Sequence, residues 1–412
     1  MRIAMFMPGL EPDSLGWEVH QDFARAVTAL GHNFKFLTTS AGLVSGQVGD
    51  VKVLTTKPLL QTLGRITAPV FRTEGLVPAA AALAGYLRNE GRSIDVLHVE
   101  VAYPHGVAAM LATQISGWDG PIVVTPMGED TLVLKEARYG FRRYPTPRAL
   151  VDWTFRRSAY IRCISPMLEE RIAKIAPKTP RRMLPLNISA AAANVAEESV
   201  PRRAERRLAA RRDIDADYHT SGRSLILALS RLHPFKGIET LVRALPQVLD
   251  AVLLIVGPSL KVVSFGDMAT HLRAVANEVG VSDRVRLIDA VTPSRSLDML
   301  AAADVVAVPS HLESLNKVCI EAAAVGTPFI VTDTTGISAW VRGEGVGIVV
   351  PPADPVALGH ALRNVLSGPW RIDLEKCSAF VKPFTPQAVA SGMVDIYRAI
   401  LDRRLSHRTQ SP

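Results

Sequence analysis

Two glutamates and two basic residues in the C-terminal half have the types and positions expected around a diphosphate. Glu313 lies in a predicted loop after the buried run Asp304–Val308, and Glu321 lies inside the helix that follows. Carboxylates at such positions can accept hydrogen bonds from neutral hydroxyls. Arg231 and Lys236 follow another predicted strand, where two fixed cations would neutralise a diphosphate and stabilise it as a leaving group.

The segment 304–337 reads as buried strand, loop, helix, tight turn and second buried strand. Ser314 is expected to cap the helix, and Gly326 to end it. The backbone N–H groups of Ser314, Leu315 and Asn316 would then face a ligand at the carboxyl edge of a parallel sheet. A diphosphate flanked by hydroxyl-bearing rings is the pattern of a sugar nucleotide.

Composition narrows the class of partner. The chain has 412 residues, 48% of them hydrophobic, and a formal net charge of +8. This charge favours anionic partners, which are nucleotide diphosphates, anionic lipids or nucleic acid. Only 6% of residues are aromatic and they do not interleave with basic ones, so we expect no nucleic acid. The three cysteines form no CxxC pair, which predicts reduced thiols in a cytoplasmic protein.

Two runs of alternating strands and helices predict an α/β fold with two Rossmann-like, doubly wound lobes. Strands of the first run are predicted at Ile3–Met7, Phe34–Thr38, Val96–Val99, Ile122–Thr125 and Tyr160–Ile164. Strands of the second are predicted at Leu225–Leu229, Leu253–Val256, Val285–Ile288, Asp304–Val308, Phe329–Thr332 and Ile348–Val350.

The predicted domain limits follow from these runs. An N-terminal lobe at 1–190 precedes a basic linker at 191–221 and a C-terminal lobe at 222–385, and a last helix, 386–408, is expected to pack back on the first lobe. The arginine-rich part, 199–212, is either a solvated linker helix or a contact with an anionic membrane surface. No apolar stretch is long enough for a membrane span, so we expect a cytoplasmic protein, peripheral on the inner face of the membrane if that contact is used.

The chain resembles family 4 of the retaining glycosyltransferases. The motifs that carry this resemblance are Arg-x4-Lys-Gly after a strand, from Arg231, and Glu-x7-Glu, from Glu313, in that order and at this separation. The resemblance covers nearly the whole chain and implies the GT-B fold, with the active site in a cleft between two lobes. It also implies front-face transfer with retention, in which the departing phosphate helps to deprotonate the acceptor.

The resemblance also implies roles for individual residues. Arg231 and Lys236 would hold the diphosphate, and Glu313 with the backbone of Ser314–Lys317 would face the donor sugar and phosphates. Glu321 would bind the ribose hydroxyls. Of the residues after the next strand, Thr335 and Gly336 fit a backbone clamp on the donor.

The N-terminal lobe departs further from the family pattern. Gly16 remains from a Gly-rich loop that would approach the donor phosphate, but Leu15 occupies the neighbouring place. In IVVTPMGED, Met127 stands where many members have His, whereas Gly128 and Asp130 match a Gly-x-Asp form. Asp130 either orients the acceptor and handles its proton or is a helix N-cap. Of the two histidines in HVEVAYPHG, His105 is the better acceptor-side candidate, although a lone His is more often structural.

Several classes of site are not supported. Asp213, Asp215 and Asp217 follow no buried strand, and Tyr218 stands where a calcium loop needs Gly, so we predict no metal site. No P-loop, HExxH or GxSxG occurs. The resemblance implies a hexosyltransferase of polysaccharide biosynthesis that needs no cofactor and moves the sugar of a UDP- or GDP-sugar to a glycan, a lipid-linked glycan or a small metabolite. We expect it to be metal-independent because the basic pair and the helix terminus can do a cation's work.

Two alternatives remain open from sequence. One is a sugar-nucleotide epimerase or hydrolase of the same fold, which would need no acceptor. The other is a catalytically idle fold with a binding role, which the altered residues Leu15 and Met127 favour and the intact basic and acidic set opposes.

Overall fold

A computed structural model of the chain describes residues 1–8, 16–39, 50–220, 222–262, 266–341 and 345–409. The chain divides into two compact units. The first unit consists of Met1–Asn187 and Pro386–Pro412, and the second unit is Ile188–Thr385. Each unit is built around its own parallel sheet.

The first unit contains a seven-stranded parallel sheet in the order β3-β2-β1-β4-β5-β6-β7. Its strands are β1 (Arg2–Phe6), β2 (Asn33–Thr38), β3 (Asp50–Val53), β4 (Val96–Glu100), β5 (Ile122–Thr125), β6 (Tyr160–Cys163) and β7 (Arg181–Met183). Its helices before residue 187 are α1 (Trp17–Ala29), α2 (Pro58–Phe71), α3 (Leu76–Glu90), α4 (Val107–Ser116), α5 (Pro145–Arg157) and α6 (Pro166–Ile175).

The second unit contains a six-stranded parallel sheet in the order β12-β9-β8-β13-β14-β15, and a short antiparallel pair, β10–β11. Its strands are β8 (Ser224–Leu229), β9 (Ala251–Val256), β10 (Lys261–Val262), β11 (Gly266–Asp267), β12 (Val285–Ile288), β13 (Val305–Val308), β14 (Phe329–Thr332) and β15 (Gly347–Val350). Its helices are α7 (Ala190–Glu197), α8 (Val200–Tyr218), α9 (Ile238–Ala244), α10 (Met268–Glu278), α11 (Pro293–Ala302), α12 (Lys317–Val325), α13 (Ser338–Val341), α14 (Pro355–Leu366) and α15 (Leu374–Val381).

The last helix, α16 (Pro386–Thr409), belongs to the first unit and packs against α1. Its Val389, Met393 and Tyr397 are buried in one cluster with Phe23 of α1 and Phe36 of β2. These α16 residues recur every four positions, which places them on one helical face. The helix is therefore held by the core of the first unit although it follows the whole second unit in sequence.

Strand order confirms the predicted doubly wound architecture. In the first sheet the order reverses at β1, between β2 and β4, and in the second it reverses at β8, between β9 and β13. Ligands of such sheets bind at the carboxyl ends of the strands near the reversal. The predicted strands are present with ends shifted by at most two residues. The edge strands β3 and β7 and the short pair β10–β11 are additional.

The predicted linker is helical and belongs to the second unit. Residues 190–218 form α7 and α8, and α8 packs against α11. Arg207 and Arg211 each donate to Asp304 at 2.8 Å, and Arg206 pairs with Glu198 at 2.7 Å. This segment differs from a free basic linker because its arginines bind carboxylates of the unit.

Asp304 should help to hold α8 against the rest of the second unit. Its carboxylate accepts from Arg207, Arg211 and the backbone N–H of Leu225. Asp304→Asn removes the charge that pairs two arginines, so we expect the free energy of unfolding to fall by about 2 kcal/mol. Denaturant titration measures the change. Asp213→Asn, at an exposed site on α8, is the matched control and should change stability by less than about 0.5 kcal/mol; equal effects of the two variants would contradict this account.

Candidate active site

The predicted donor residues of the second unit lie at the carboxyl ends of three neighbouring strands. Arg231 and Lys236 follow β8, Glu313 follows β13, and Thr335 with Gly336 follows β14. The order β8-β13-β14 makes these strands adjacent in the sheet. The fold therefore brings residues from three separate parts of the sequence to one edge, beside the point where strand order reverses.

The Glu313 carboxylate is the centre of this cluster. One oxygen accepts from the Lys236 ammonium at 2.6 Å, and the other accepts from the Ser310 hydroxyl at 3.0 Å and the Asn316 amide at 2.9 Å. Burial by itself raises the pKa of Glu313, but the Lys236 charge and the three donated hydrogen bonds outweigh burial and hold that pKa below its usual value. Glu313 is therefore an ionised, firmly positioned acceptor.

Backbone hydrogen bonds tie the Glu313 loop to the loop after β14. Gly336 N–H donates to the Glu313 carbonyl at 2.9 Å, and Ile337 N–H donates to the Leu315 carbonyl at 3.0 Å. Thr335 N–H donates to the Thr332 carbonyl. The N–H groups of Thr335 and Gly336 are thus engaged within the protein, so these residues hold Glu313 in place, which differs from the predicted clamp on the donor.

The helix after Glu313 begins later than predicted. The first residue of α12 is Lys317, and its N-cap is Asn316, whose side-chain oxygen accepts from Cys319 N–H at 3.1 Å. Ser314 and Leu315 precede the cap. The helical N–H groups left for a ligand are consequently those of Lys317 and Val318, because the first N–H groups of a helix have no partner within it.

Three charged side chains beside this cluster have no hydrogen bond or ion pair to any described residue. They are Arg231, which is exposed, and Lys317 and Glu321, which are half-buried. Lys317 and Glu321 are four residues apart on α12 and so share a face. Burial raises the pKa of Glu321, and the Lys317 charge opposes that effect only in part. Among the described residues beside the Glu313 cluster, two cations and one carboxylate are thus available for a ligand.

Two glycines permit the close approach of the loops that carry the site. Gly237 has φ of 64°, and a Cβ there would lie 2.0 Å from the Pro309 carbonyl oxygen. Gly257, after β9, has φ of 142°, and a Cβ there would lie 2.0 Å from the Ser230 carbonyl oxygen. Any larger residue would push apart the strand ends that hold Lys236 and Arg231. Gly237 is part of the sequence motif, whereas Gly257 is found only in the structure.

In the first unit, Asp130 is a structural acceptor. It is fully buried, and its carboxylate accepts from the backbone N–H groups of Ala102, Gly128 and Met127 and from the Thr131 hydroxyl, at 2.6–3.4 Å. Burial raises its pKa, and these four donors oppose the rise. No helix begins at Asp130, so it is not an N-cap, and its oxygens serve the loops after β4 and β5. Gly128, with φ of 130°, permits this turn.

Of the two predicted histidines of the first unit, His98 is fully buried and His105 is partly buried. His98 bonds to the Tyr397 hydroxyl and the Thr125 hydroxyl, each at 2.7 Å, so it is part of the core. His105 packs on the Phe6 ring at 5.2 Å, and its Nδ1 has no partner among the described residues. Burial lowers the pKa of His105 to about 4. His105 is thus neutral near pH 7.

A further polar pair lies at the same edge of the first sheet. His20, in the first turn of α1, contacts Glu100 at the end of β4, with 3.0 Å between His20 Nε2 and the carboxylate. Gly16 directly precedes α1 with φ of 126°, and a Cβ there would contact nothing within 4 Å. Sequence patterns do not single out this pair, although Glu100 directly follows the predicted strand Val96–Val99. Residues 9–15 of the adjoining loop lie outside the described residues.

Within the described ranges, no group of three His, Cys, Asp or Glu side chains is placed to hold a metal ion. None of the helices in those ranges combines the length and the apolar character that crossing a bilayer requires.

Two family models match the chain. The model described as glycosyl transferases group 1 matches residues 223–368, and the model described as glycosyl transferase 4-like domain matches residues 16–187. Among curated relatives, D-inositol 3-phosphate glycosyltransferase of Acidothermus cellulolyticus is 30% identical over 199 residues. That match covers 45% of this chain and 43% of the relative, so the chain spans less than half of the relative's length.

Solved structures share the fold over nearly the whole chain. Sucrose-phosphate synthase from Thermosynechococcus elongatus has a TM-score of 0.73 and 21% identity, covering 98% of this chain and 100% of that one. HepE of Anabaena in complex with UDP-glucose has a TM-score of 0.68 and 16% identity, covering the same shares. At these identities the likeness establishes the architecture.

Replacing Glu321 by Gln should stabilise the protein without ligand. Burial raises the pKa of Glu321 above its ordinary 4.5, so stability is lost as the pH rises from 4.5 through the raised value. Glu321→Gln avoids that loss, and we expect a gain of about 0.5–2 kcal/mol in unfolding free energy at pH 8 that shrinks toward pH 4.5. Denaturant titration across this range measures it, with exposed Glu205→Gln as control. A gain independent of pH would contradict the role of ionisation.

Proposed function

The chain belongs to the group 1, family-4-like glycosyltransferases with the GT-B fold, and we propose that it transfers a sugar from a nucleoside diphosphate sugar with retention of configuration. The observation that carries the proposal is the Lys236–Glu313 pair at 2.6 Å, beside the unpartnered Arg231 and Glu321. This set combines fixed cations for a diphosphate with an ionised acceptor for hydroxyls. UDP is the first nucleotide to test because HepE is described in complex with UDP-glucose.

In the proposed reaction the bond between the sugar C1 and the β-phosphate oxygen breaks. The acceptor oxygen forms its bond to C1 on the same face, and the acceptor proton passes to the departing phosphate oxygen. The nucleoside diphosphate then leaves with both electrons of the broken bond. Arg231 and Lys236 stabilise the charge that develops on that phosphate, as preorganised cations do in a dry site.

Glu313 and Glu321 have different proposed tasks. Glu313 is ionised and held by three donors, so its position is fixed before a ligand arrives. We assign it to the donor sugar hydroxyls and to the orientation of Lys236. Glu321 lacks a described partner and gains hydrogen bonds only when hydroxyls bind, which fits the ribose of the nucleotide. No metal is needed in this scheme, since Arg231, Lys236 and the amino end of α12 supply the positive charge.

The acceptor is an open part of the proposal. Glycan, lipid-linked glycan and small-metabolite acceptors all fit a front-face transfer. D-inositol 3-phosphate belongs in the acceptor panel because the matched relatives carry it in their names.

Incubation with a panel of UDP- and GDP-sugars tests the proposal. Slow hydrolysis of the donor without acceptor, and transfer with the right acceptor, support it. A changed sugar in the absence of acceptor would indicate an epimerase, and a lack of binding to any nucleotide sugar would indicate an idle fold.

Removing single site residues should lower turnover without unfolding the protein. Arg231→Ala, Lys236→Ala and Glu313→Ala should each reduce turnover by about 10²-fold or more, the effect of losing one preorganised electrostatic group. Lys382→Ala, an exposed lysine of the same unit, is the control and should retain turnover. Near-normal turnover of folded Glu313→Ala protein would refute the role of Glu313.

Peripheral membrane contact is a second part of the proposal, and the structure offers two surfaces for it. In the basic segment 199–212, four of six arginines are buried or paired with carboxylates, which leaves Arg202 and Arg212. In α2, four apolar side chains on one face are 41–72% exposed, namely Leu59, Leu63, Ile66 and Val70. Exposed Lys57, Arg65 and Arg72 flank them. An apolar stripe with a basic rim fits an anionic bilayer surface, so we favour α2.

Vesicle co-sedimentation distinguishes the two surfaces. We expect the double variant Ile66→Gln with Val70→Gln to bind phosphatidylglycerol vesicles about tenfold or more weakly. The reason is that it lacks two apolar side chains that the wild-type protein would bury in the bilayer interface. Arg202→Gln with Arg212→Gln should reduce it only slightly. The reverse order would place the contact on 199–212, and no binding at low salt would refute both.

A further inference from the structure

The second unit has a cavity at the amino ends of its strands, the sheet edge opposite to the candidate active site. Its lining includes Ser224, the first residue of β8, Asp304 just before β13, and Pro328 just before β14. The active-site loops follow the carboxyl ends of the same strands. The cavity volume is about 730 Å³, within the range of small-molecule sites.

The lining of this cavity is strongly basic. Five arginines and one aspartate contribute to it, which are Arg203, Arg207, Arg211, Arg223, Arg371 and Asp304. Asp304 is fully engaged, since it accepts from two of these arginines and from Leu225 N–H. Among the described residues that line the cavity none other is acidic, and Asp215 pairs with Arg211 from outside the lining. The positive charge therefore exceeds what the protein itself neutralises there.

Arg203 is the residue that points most directly to a ligand. Its side chain is buried, with 6% exposed, and its Nε and Nη1 atoms have no hydrogen-bond partner among the described residues. Burial of charged N–H donors without acceptors is unfavourable, so these two atoms gain when an anion binds. Arg203 is the fourth residue of α8, whose N-cap is Ser199. At spacings of four residues it shares one helical face with Arg207 and Arg211. Arg207 and Arg211 both pair with the Asp304 carboxylate, whereas Arg203 forms no ion pair with a described residue.

Further donors surround Arg203 at the cavity mouth. Arg223 is exposed and its side chain makes no described contact. Arg371 uses Nη1 for the carbonyls of Gly368 and Trp370, which leaves its Nε and Nη2 without a described acceptor. Trp370 also lines the cavity and offers an aromatic wall. Guanidinium groups beside an aromatic surface suit a phosphate attached to a planar or apolar group.

We propose that this cavity binds the phosphoryl group of a small phosphorylated molecule of about nucleotide size, at a site separate from the donor site. Arg203 pairs the phosphate oxygens in the buried part, Arg223 and Arg371 complete the pairing at the mouth, and Trp370 packs on the attached group. A free phosphorylated metabolite and a phosphatidic acid headgroup share this chemistry. The size of the cavity and its aromatic wall favour the free metabolite. The inference does not depend on the proposed transfer reaction.

Calorimetry with inorganic pyrophosphate and with AMP tests the site. Wild-type protein should bind at least one of them, and Arg203→Met should lower that affinity by about tenfold or more, the effect of losing a charged hydrogen-bonding partner. Arg202→Met, an exposed neighbour outside the cavity, should bind within about twofold of wild type. Lys236→Met, which disables the donor site, should retain the binding that depends on Arg203.

Several results would overturn the proposal. These are equal affinities of Arg203→Met and wild type, loss of all binding in Lys236→Met, or no heat with either probe. If Arg203→Met does not fold, the double variant Arg223→Gln with Arg371→Gln at the exposed mouth replaces it, with the same expected loss. Binding of phosphatidic acid vesicles that depends on Arg203, without binding of either soluble probe, would also contradict a free metabolite. These calorimetric comparisons measure binding only, so they can be interpreted even if the protein turns over no nucleotide sugar.

Discussion

The interaction on which the second unit's site depends is the charge-assisted contact between Lys236 and Glu313. It joins the loop after β8 to the loop after β13, and Glu313 is in turn tied through Gly336 to the loop after β14. Both partners are largely shielded from water, so removing one would leave a poorly solvated charge. Ser310 and Asn316 satisfy the second carboxylate oxygen. Three strand ends thereby share one electrostatic arrangement before any ligand is present.

Around this fixed pair the remaining charges are not satisfied by the protein. Arg231 and Lys317 lack described acceptors, and burial disfavours the charged form of Glu321. Charges without partners lower the stability of the protein without ligand, and such a loss of stability is common at binding sites. A rigid pair with unsatisfied neighbours allows ligand binding to add interactions without rearranging the site.

Local sequence rules predicted the strands well and predicted the loops less well, for a physical reason. Continuous β-branched runs such as 305–308 identify buried parallel strands because both faces of the sheet are covered. The edge strands β3 (Asp50–Val53) and β7 (Arg181–Met183) were not predicted because both are short and neither contains a continuous apolar run. The start of α12 was placed at Ser314 because Ser and Asn are both good caps. What selects Asn316 is the pairing of Glu313 with Thr335 and Gly336, a contact between distant segments.

The predicted roles of individual residues divide in the same way. The basic and acidic motif residues meet in space because they follow adjacent strands, a consequence of sheet order that the pattern of strands predicts. The role of Asp130 could not be read from sequence, since its four donors come from two loops that only the fold brings together. The basic stretch 199–212 likewise looked solvated because Asp304, its main partner, lies about ninety positions away.

The carboxylates bear on how an acceptor hydroxyl could lose its proton. A general base must be close to that proton and free to accept it. Asp130 is fully buried and its oxygens already accept from four donors, so an acceptor hydroxyl has no access to it although burial raises its pKa. Glu313 has three donors and a lowered pKa, which makes it a weak base. His105 is partly buried, and desolvation lowers its pKa to about 4, so it is a weak base near neutral pH. A reaction in which the departing phosphate accepts the proton requires none of these groups as a base. It requires only that the phosphate be held and its charge stabilised, which is the chemistry that Arg231 and Lys236 can supply.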